Sequence, residues 1–282
     1  MSNAKTLSPV VAVPRTASAF ELAVESFSPR RNGEARSSAF PHFLVAPIKY
    51  EKNYPYPLLV WLHDSGSSEA ELFDVAPQIS SRNYVAVAPR GLAASRADLV
   101  CKRSNGRLVV EKTRRETYYN WPETEEGVSQ AENLVFHSID QALAKFNVHR
   151  RRVFLLGRGT GGTMALRVAL RNPREFAGVV SIDGAFPTLD RQPLRSWREA
   201  RDLPILLTTG LGSSAIPQLT PKQLGLFHTA GLTVVIRQYN ERPDEKNAAE
   251  TRMKKILLDV NRWTMERALN PQAPISELFK TR

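Results

Sequence analysis

One cysteine, Cys101, stands in 282 residues. A single thiol excludes an intramolecular disulfide and a cysteine-built zinc cluster, and no metal site or cofactor is expected. No apolar run approaches the roughly 20 residues that a membrane-spanning helix needs, so no membrane span is expected. The first twenty residues lack the charged-then-apolar layout of a secretory leader, which predicts a cytoplasmic protein. Acidic residues are outnumbered, 28 against 39 basic, for a net charge of +11. That balance favours anionic partners or surfaces in association, and it carries no information about fold. Hydrophobic residues make up 42% of the chain, ample for a core, and the length allows one large α/β domain or two small ones.

Residues 1–38 are rich in Ser, Ala, Pro and Arg and read as a flexible tail. An ordered domain is expected over 39–270, with a frayed tail over 271–282. Residues 40–48 read as a strand. Residues 58–62 are a continuous apolar run, the pattern of a strand buried on both faces of a parallel sheet. A helix fits 69–82 and a further strand 84–88. Strand, helix and strand joined by short links form a βαβ unit. Residues 92–122 interrupt the rhythm as an insertion. Two strand-like runs there flank Ser104-Asn105-Gly106, a strong hairpin signal. Apolar residues at Val128, Ala131, Leu134, Val135, Ile139 and Ala142 recur at helical spacing. Later strands are expected at 177–182, 204–209 and 232–239, and helices at 220–230 and 253–269.

The chain turns on Val153-Phe154-Leu155-Leu156-Gly157-Arg158-Gly159-Thr160-Gly161-Gly162. A strand runs into a glycine-rich corner and a helix follows, the layout of a nucleophile elbow. In the pattern small-x-nucleophile-x-small, Gly157 and Gly161 take the small positions and Gly159 takes the place of the nucleophile. The alternative frame makes Thr160 the nucleophile but puts Arg158 where the crowded backbone admits only a small residue. A Walker loop needs Gly-Lys-Ser/Thr, and the stretch has no lysine. A dinucleotide fingerprint fits poorly, because several strands precede this one.

The order of these pieces resembles the α/β-hydrolase fold, and within it the phospholipase/carboxylesterase family that includes the acyl-protein thioesterases. The pieces are 58–66, 86–91, Trp121 before the long helix, 157–162, 180–187 and 206–217. They span about residues 40–270. The resemblance implies a doubly wound, mainly parallel sheet flanked by helices, with the elbow after the fifth or sixth strand. It also implies a serine, an aspartate and a histidine in that chain order, acting on an ester or thioester carbonyl. Here the serine position is Gly159 and the acid position is Ser213. The five histidines are His42, His63, His137, His149 and His228, so none follows the last predicted strand. The backbone N–H groups implied for the oxyanion hole are those of Ser65 and Thr160. His63, Asp64 and Arg158 are placed around the pocket. Asp64 stands where the family has glycine, and its carboxylate is expected to crowd the hole and repel an oxyanion. His63 is expected to hold the loop by hydrogen bonds rather than to act in catalysis.

Without a nucleophile or a general base, the expectation is a catalytically inactive homologue that uses the old pocket for binding or scaffolding. Two alternatives stay open. One is a weak or atypical esterase acting through Thr160 or an unidentified residue. The other is an anionic-ligand or nucleic-acid binder using the basic hairpin, where residues 96–115 carry seven basic and two acidic side chains. Its bland counterpart is a solvated ribbon whose charges prevent edge-to-edge pairing. Nucleic acid is not the expected partner. A small acyl or anionic ligand in the vestigial cleft is. Cys101 reads as an incidental thiol, and Asp244, Glu245 and Glu250 as a solvated loop and helix start. Oligomeric state has no sequence signal.

Overall fold

The computed structural model describes residues 40–96, 99–104, 107–112, 116–187, 200–211, 225, 227, 229–240 and 247–269. Both expected tails, the Asn105-Gly106 turn, Ser213, His228 and the 241–246 loop lie outside these residues. Only scattered positions of the helix expected over 220–230 fall within them.

Seven strands form the main sheet: β1 (His42–Val45), β2 (Tyr56–Leu62), β3 (Val85–Pro89), β8 (Val148–Arg158), β9 (Gly178–Ile182), β10 (Ile205–Leu211) and β11 (Val234–Asn240). Their order is β1-β3-β2-β8-β9-β10-β11. Only β1 is antiparallel to its neighbour; the others run parallel. Every residue of β2 is buried, as the unbroken apolar run requires of a strand covered on both faces.

Helices cover both faces. On one lie α2 (Glu125–Lys145) and α3 (Thr160–Arg171), packed over Leu58, Val60, Leu155 and Val179. On the other lie α1 (Leu72–Ile79) and α4 (Ala248–Leu269), over Leu59, Trp61, Phe154 and Leu156. Alternate residues of β2 and β8 thus feed separate cores, as the two-residue period of a strand dictates. Helix α2 begins where Thr124 accepts a hydrogen bond from the Gly127 N–H at 3.1 Å, with Glu125 and Glu126 in its first turn and Lys145 in its last.

Several boundaries differ from the sequence expectation. The helix expected over 69–82 is a 3₁₀ turn (Glu69–Glu71) followed by α1, which stops where Ser80 becomes extended. Strand β8 begins at Val148, ahead of the apolar run that opens at Val153, so Arg150–Arg152 lie within it at the end remote from the corner. The corner follows the fourth main-sheet strand, not the fifth or sixth, because the insertion's strands do not join that sheet. The insertion holds two antiparallel ribbons rather than one hairpin. The inner ribbon pairs β5 (Leu99–Ser104) with β6 (Arg107–Lys112). The outer pairs β4 (Leu92–Arg96) with β7 (Glu116–Asn120) and was not anticipated.

Candidate functional site

Strands β2, β8 and β9 end together at the C-terminal edge of the parallel sheet, where open α/β folds bind ligands. Gly159 lies between the end of β8 and the start of α3, with φ +52° and ψ −121°. This left-handed conformation disfavours any residue with a Cβ. Its N–H donates to the Ile182 carbonyl of β9 at 2.8 Å, and its carbonyl accepts from the Thr163 N–H at 3.1 Å. A Cβ on Gly157 would collide with the Gly161 backbone, and one on Gly161 with the carbonyls of Leu62 and His63. The crowding that requires two small residues therefore falls at 157 and 161, with Gly159 at the apex. Arg158 points outward, pairing with Glu71 at 3.1 Å.

Asp64, at the end of β2, fills the space over this apex. Its Oδ1 accepts from the Ser65 N–H at 2.7 Å and the Thr160 N–H at 3.0 Å, and lies 3.3 Å from the Thr160 hydroxyl. A Cβ built on Gly159 would lie within 2.5 Å of Oδ1, Cγ and Oδ2 alike. The carboxylate thus takes both backbone donors and the volume that a side chain at the apex would need.

The turn carrying Asp64 is held rigidly. The His63 Nε2 accepts from the Gly91 N–H at 3.0 Å, which puts the ring proton on Nδ1 and makes it the donor to the Asp64 carbonyl at 2.7 Å. The Trp121 indole N–H donates to the His63 carbonyl at 2.8 Å, and the Gly66 N–H to the Tyr119 carbonyl at 3.0 Å. His63 is fully buried and does not line the cleft, which corrects its expected place in the pocket. Both ring nitrogens already have backbone partners, so the ring lies beneath the turn.

Burial lowers the His63 pKa below its ordinary value of 6.5. Below about pH 6.5 the unfolded chain takes up a proton that the native state refuses, so stability falls as the pH drops from there through the lowered native pKa. Above that window the ring is neutral in both states. We expect the fall in Tm between about pH 7.5 and about pH 5.5 to be smaller in His63→Gln than in the wild type. Equal falls would assign the effect to other groups, such as His42, whose pKa burial also lowers.

A cleft of about 730 Å³ opens over the apex, a size suited to a small organic ligand. The charged groups at its wall are the carboxylates of Asp64, Glu123, Asp183 and Glu250 and the guanidiniums of Arg158 and Arg252. A second cleft of about 540 Å³, beneath Tyr118 and Tyr119, shares Gln78, Arg158 and Met253 with the first. Asp183 has φ +55°, a strained value for a residue with a Cβ, and its carboxylate pairs with buried Arg252. That pair ties α4 to the end of β9. Neither residue was assigned to this site from the sequence. Arg252 did leave a signal, since it sits one and two turns before Ile256 and Val260 on the stripe α4 buries. Among the described residues, no group of three or more His, Cys, Asp or Glu could hold a metal ion, and no helix is long and apolar enough to cross a membrane.

A mostly parallel sheet with helices on both faces and a glycine-cornered strand-to-helix turn at its C-terminal edge defines an α/β-hydrolase fold. The chain belongs to the phospholipase/carboxylesterase family, whose sequence model matches residues 46–257. No curated protein matches it in sequence. Among solved structures it is similar to an S-formylglutathione hydrolase from Agrobacterium tumefaciens, with 16% identity and a TM-score of 0.55, covering 86% of this chain and 94% of that one. It is also similar to SOBER1 from Arabidopsis thaliana, with 21% identity and a TM-score of 0.52, covering 76% and 99%. A thermostable esterase matches with 15% identity and a TM-score of 0.52 over 87% of this chain, which spans 62% of that esterase's length. At these identities the likeness is one of fold.

Proposed function

We propose that this family member does not hydrolyse esters and that its cleft serves binding or scaffolding. The observation that carries the reading is the Asp64 carboxylate seated on the Ser65 and Thr160 N–H groups above a glycine apex. Hydrolysis by this fold needs a nucleophile at the apex and empty donors facing the oxygen that becomes negative. Gly159 supplies no nucleophile, and the donors already hold a negative oxygen. An ester carbonyl entering the same place would build its charge against that carboxylate.

The competing reading makes the Thr160 hydroxyl the nucleophile, since it lies within reach of the Asp64 carboxylate. The donors of the apex already hold that carboxylate, and the chain has no histidine after residue 228 to serve as general base. Hydrolysis of a short-chain p-nitrophenyl ester, run beside Thr160→Ala and a fluorophosphonate labelling assay, separates the two. We expect neither turnover nor label in either protein. Turnover that disappears in Thr160→Ala would make Thr160 the nucleophile and overturn the proposal.

A further inference from the structure

The seat beneath the Asp64 carboxylate has the chemistry of a ligand site. Three donors converge on one oxygen: the N–H groups of Ser65 and Thr160 and the Thr160 hydroxyl. Two of them open the twelve-residue helix α3, whose N-terminus favours negative charge. The occupant is a carboxylate, and Gly159 leaves it room that any other residue would remove. No other side chain donates to that oxygen among the described hydrogen bonds.

We propose that this is a monoanion site for small carboxylates whose resident ligand is the chain's own Asp64, so that the cleft is autoinhibited toward carboxylates in solution. The inference rests on the non-hydrolytic reading of the same site and deepens it. A side chain tethered a few bonds from its seat has an effective concentration that free carboxylates at millimolar levels do not match. Asp64 thereby narrows the wild-type cleft to ligands that need no anion seat at the apex. Without the Asp64 side chain, the same donors face the cleft unoccupied, and a carboxylate from solution takes the vacated place.

Melting and calorimetric titration of the full chain with sodium acetate, against sodium chloride at matched ionic strength, test this. We expect Asp64→Ala to melt roughly 3–10 °C below the wild type, since charge-assisted hydrogen bonds are lost. With a Kd of roughly 10 mM, about 100 mM acetate would favour the folded variant about elevenfold and restore much of that loss, and chloride would restore none. The wild type should show neither heat nor shift with acetate. Asp64→Gly, which places the family's residue at this turn, carries the same test should Asp64→Ala fail to fold. An Asp64 variant that melts with the wild type, or that chloride rescues as well as acetate, overturns the proposal. So does acetate binding to the wild type. None of these outcomes bears on ester turnover by the wild type, which judges the non-hydrolytic reading separately.

Discussion

Gly159→Ser, the substitution that writes the missing hydroxyl back into the apex, is expected to lower Tm sharply and to yield no esterase. Two costs combine. A Cβ at φ +52° carries strain of about 1–3 kcal/mol. The same Cβ would lie within 2.5 Å of three Asp64 atoms, so the carboxylate must leave its seat and strand the N–H groups it satisfies. Abandoning those hydrogen bonds costs about 1–3 kcal/mol more. Together they predict a fall in Tm of roughly 5–20 °C. The two positions also predict a coupling. In Asp64→Gly/Gly159→Ser the collision is gone, and what remains is the backbone strain plus one loss of the Asp64 hydrogen bonds, which each single variant also incurs. The double variant should therefore lose less than the sum of the single losses, and should melt close to Gly159→Ser. A Gly159→Ser protein that melts at or above the wild type would refute the placement of Gly159 at the apex. Additive losses would refute its contact with Asp64.

That coupling marks where sequence reasoning stopped. The glycine corner was legible because crowding at Gly157 and Gly161 leaves a compositional trace. The unbroken apolar run of β2 and the helical period of α2 were legible for the same kind of reason, each being a local consequence of which faces are covered. Asp64 was legible as a carboxylate near the hole, but its destination was not. Its rotamer is decided by the absence of a Cβ on Gly159, 95 positions along the chain, and by donors on two different elements. The outer ribbon was not legible because Leu92-Ala93-Ala94-Ser95-Arg96 shows no clear alternation, and its partner β7 lies beyond the inner hairpin. His63 was placed at the pocket by the family resemblance alone. The Gly91 N–H that holds its ring belongs to a different strand end, a pairing no local pattern announces.

The same logic of distant partners governs the turn's outer support. Glu69 is 2% exposed, and its Oε1 accepts from the Arg90 Nε at 2.7 Å, while Oε2 has no hydrogen-bond partner among the described residues. The Arg90 guanidinium also lies 4.9 Å from the centre of the Tyr119 ring on β7. One cation therefore joins the end of β3, the 3₁₀ turn after Asp64 and the outer ribbon. The hydrogen bond to Glu69 raises the arginine's pKa further, so its guanidinium stays charged throughout the physiological range. Removing the cation leaves a buried charge with nothing to neutralise it. Arg90→Ala is expected to cost about 3–5 kcal/mol, a fall in Tm of roughly 6–20 °C. Arg90→Met with Glu69→Gln removes both charges and keeps the apolar stem over Tyr119, so it should recover most of the loss. Recovery identifies the stranded carboxylate as the cause. If the double variant melts as low as Arg90→Ala, the arginine acts through its position between the strands and not through Glu69.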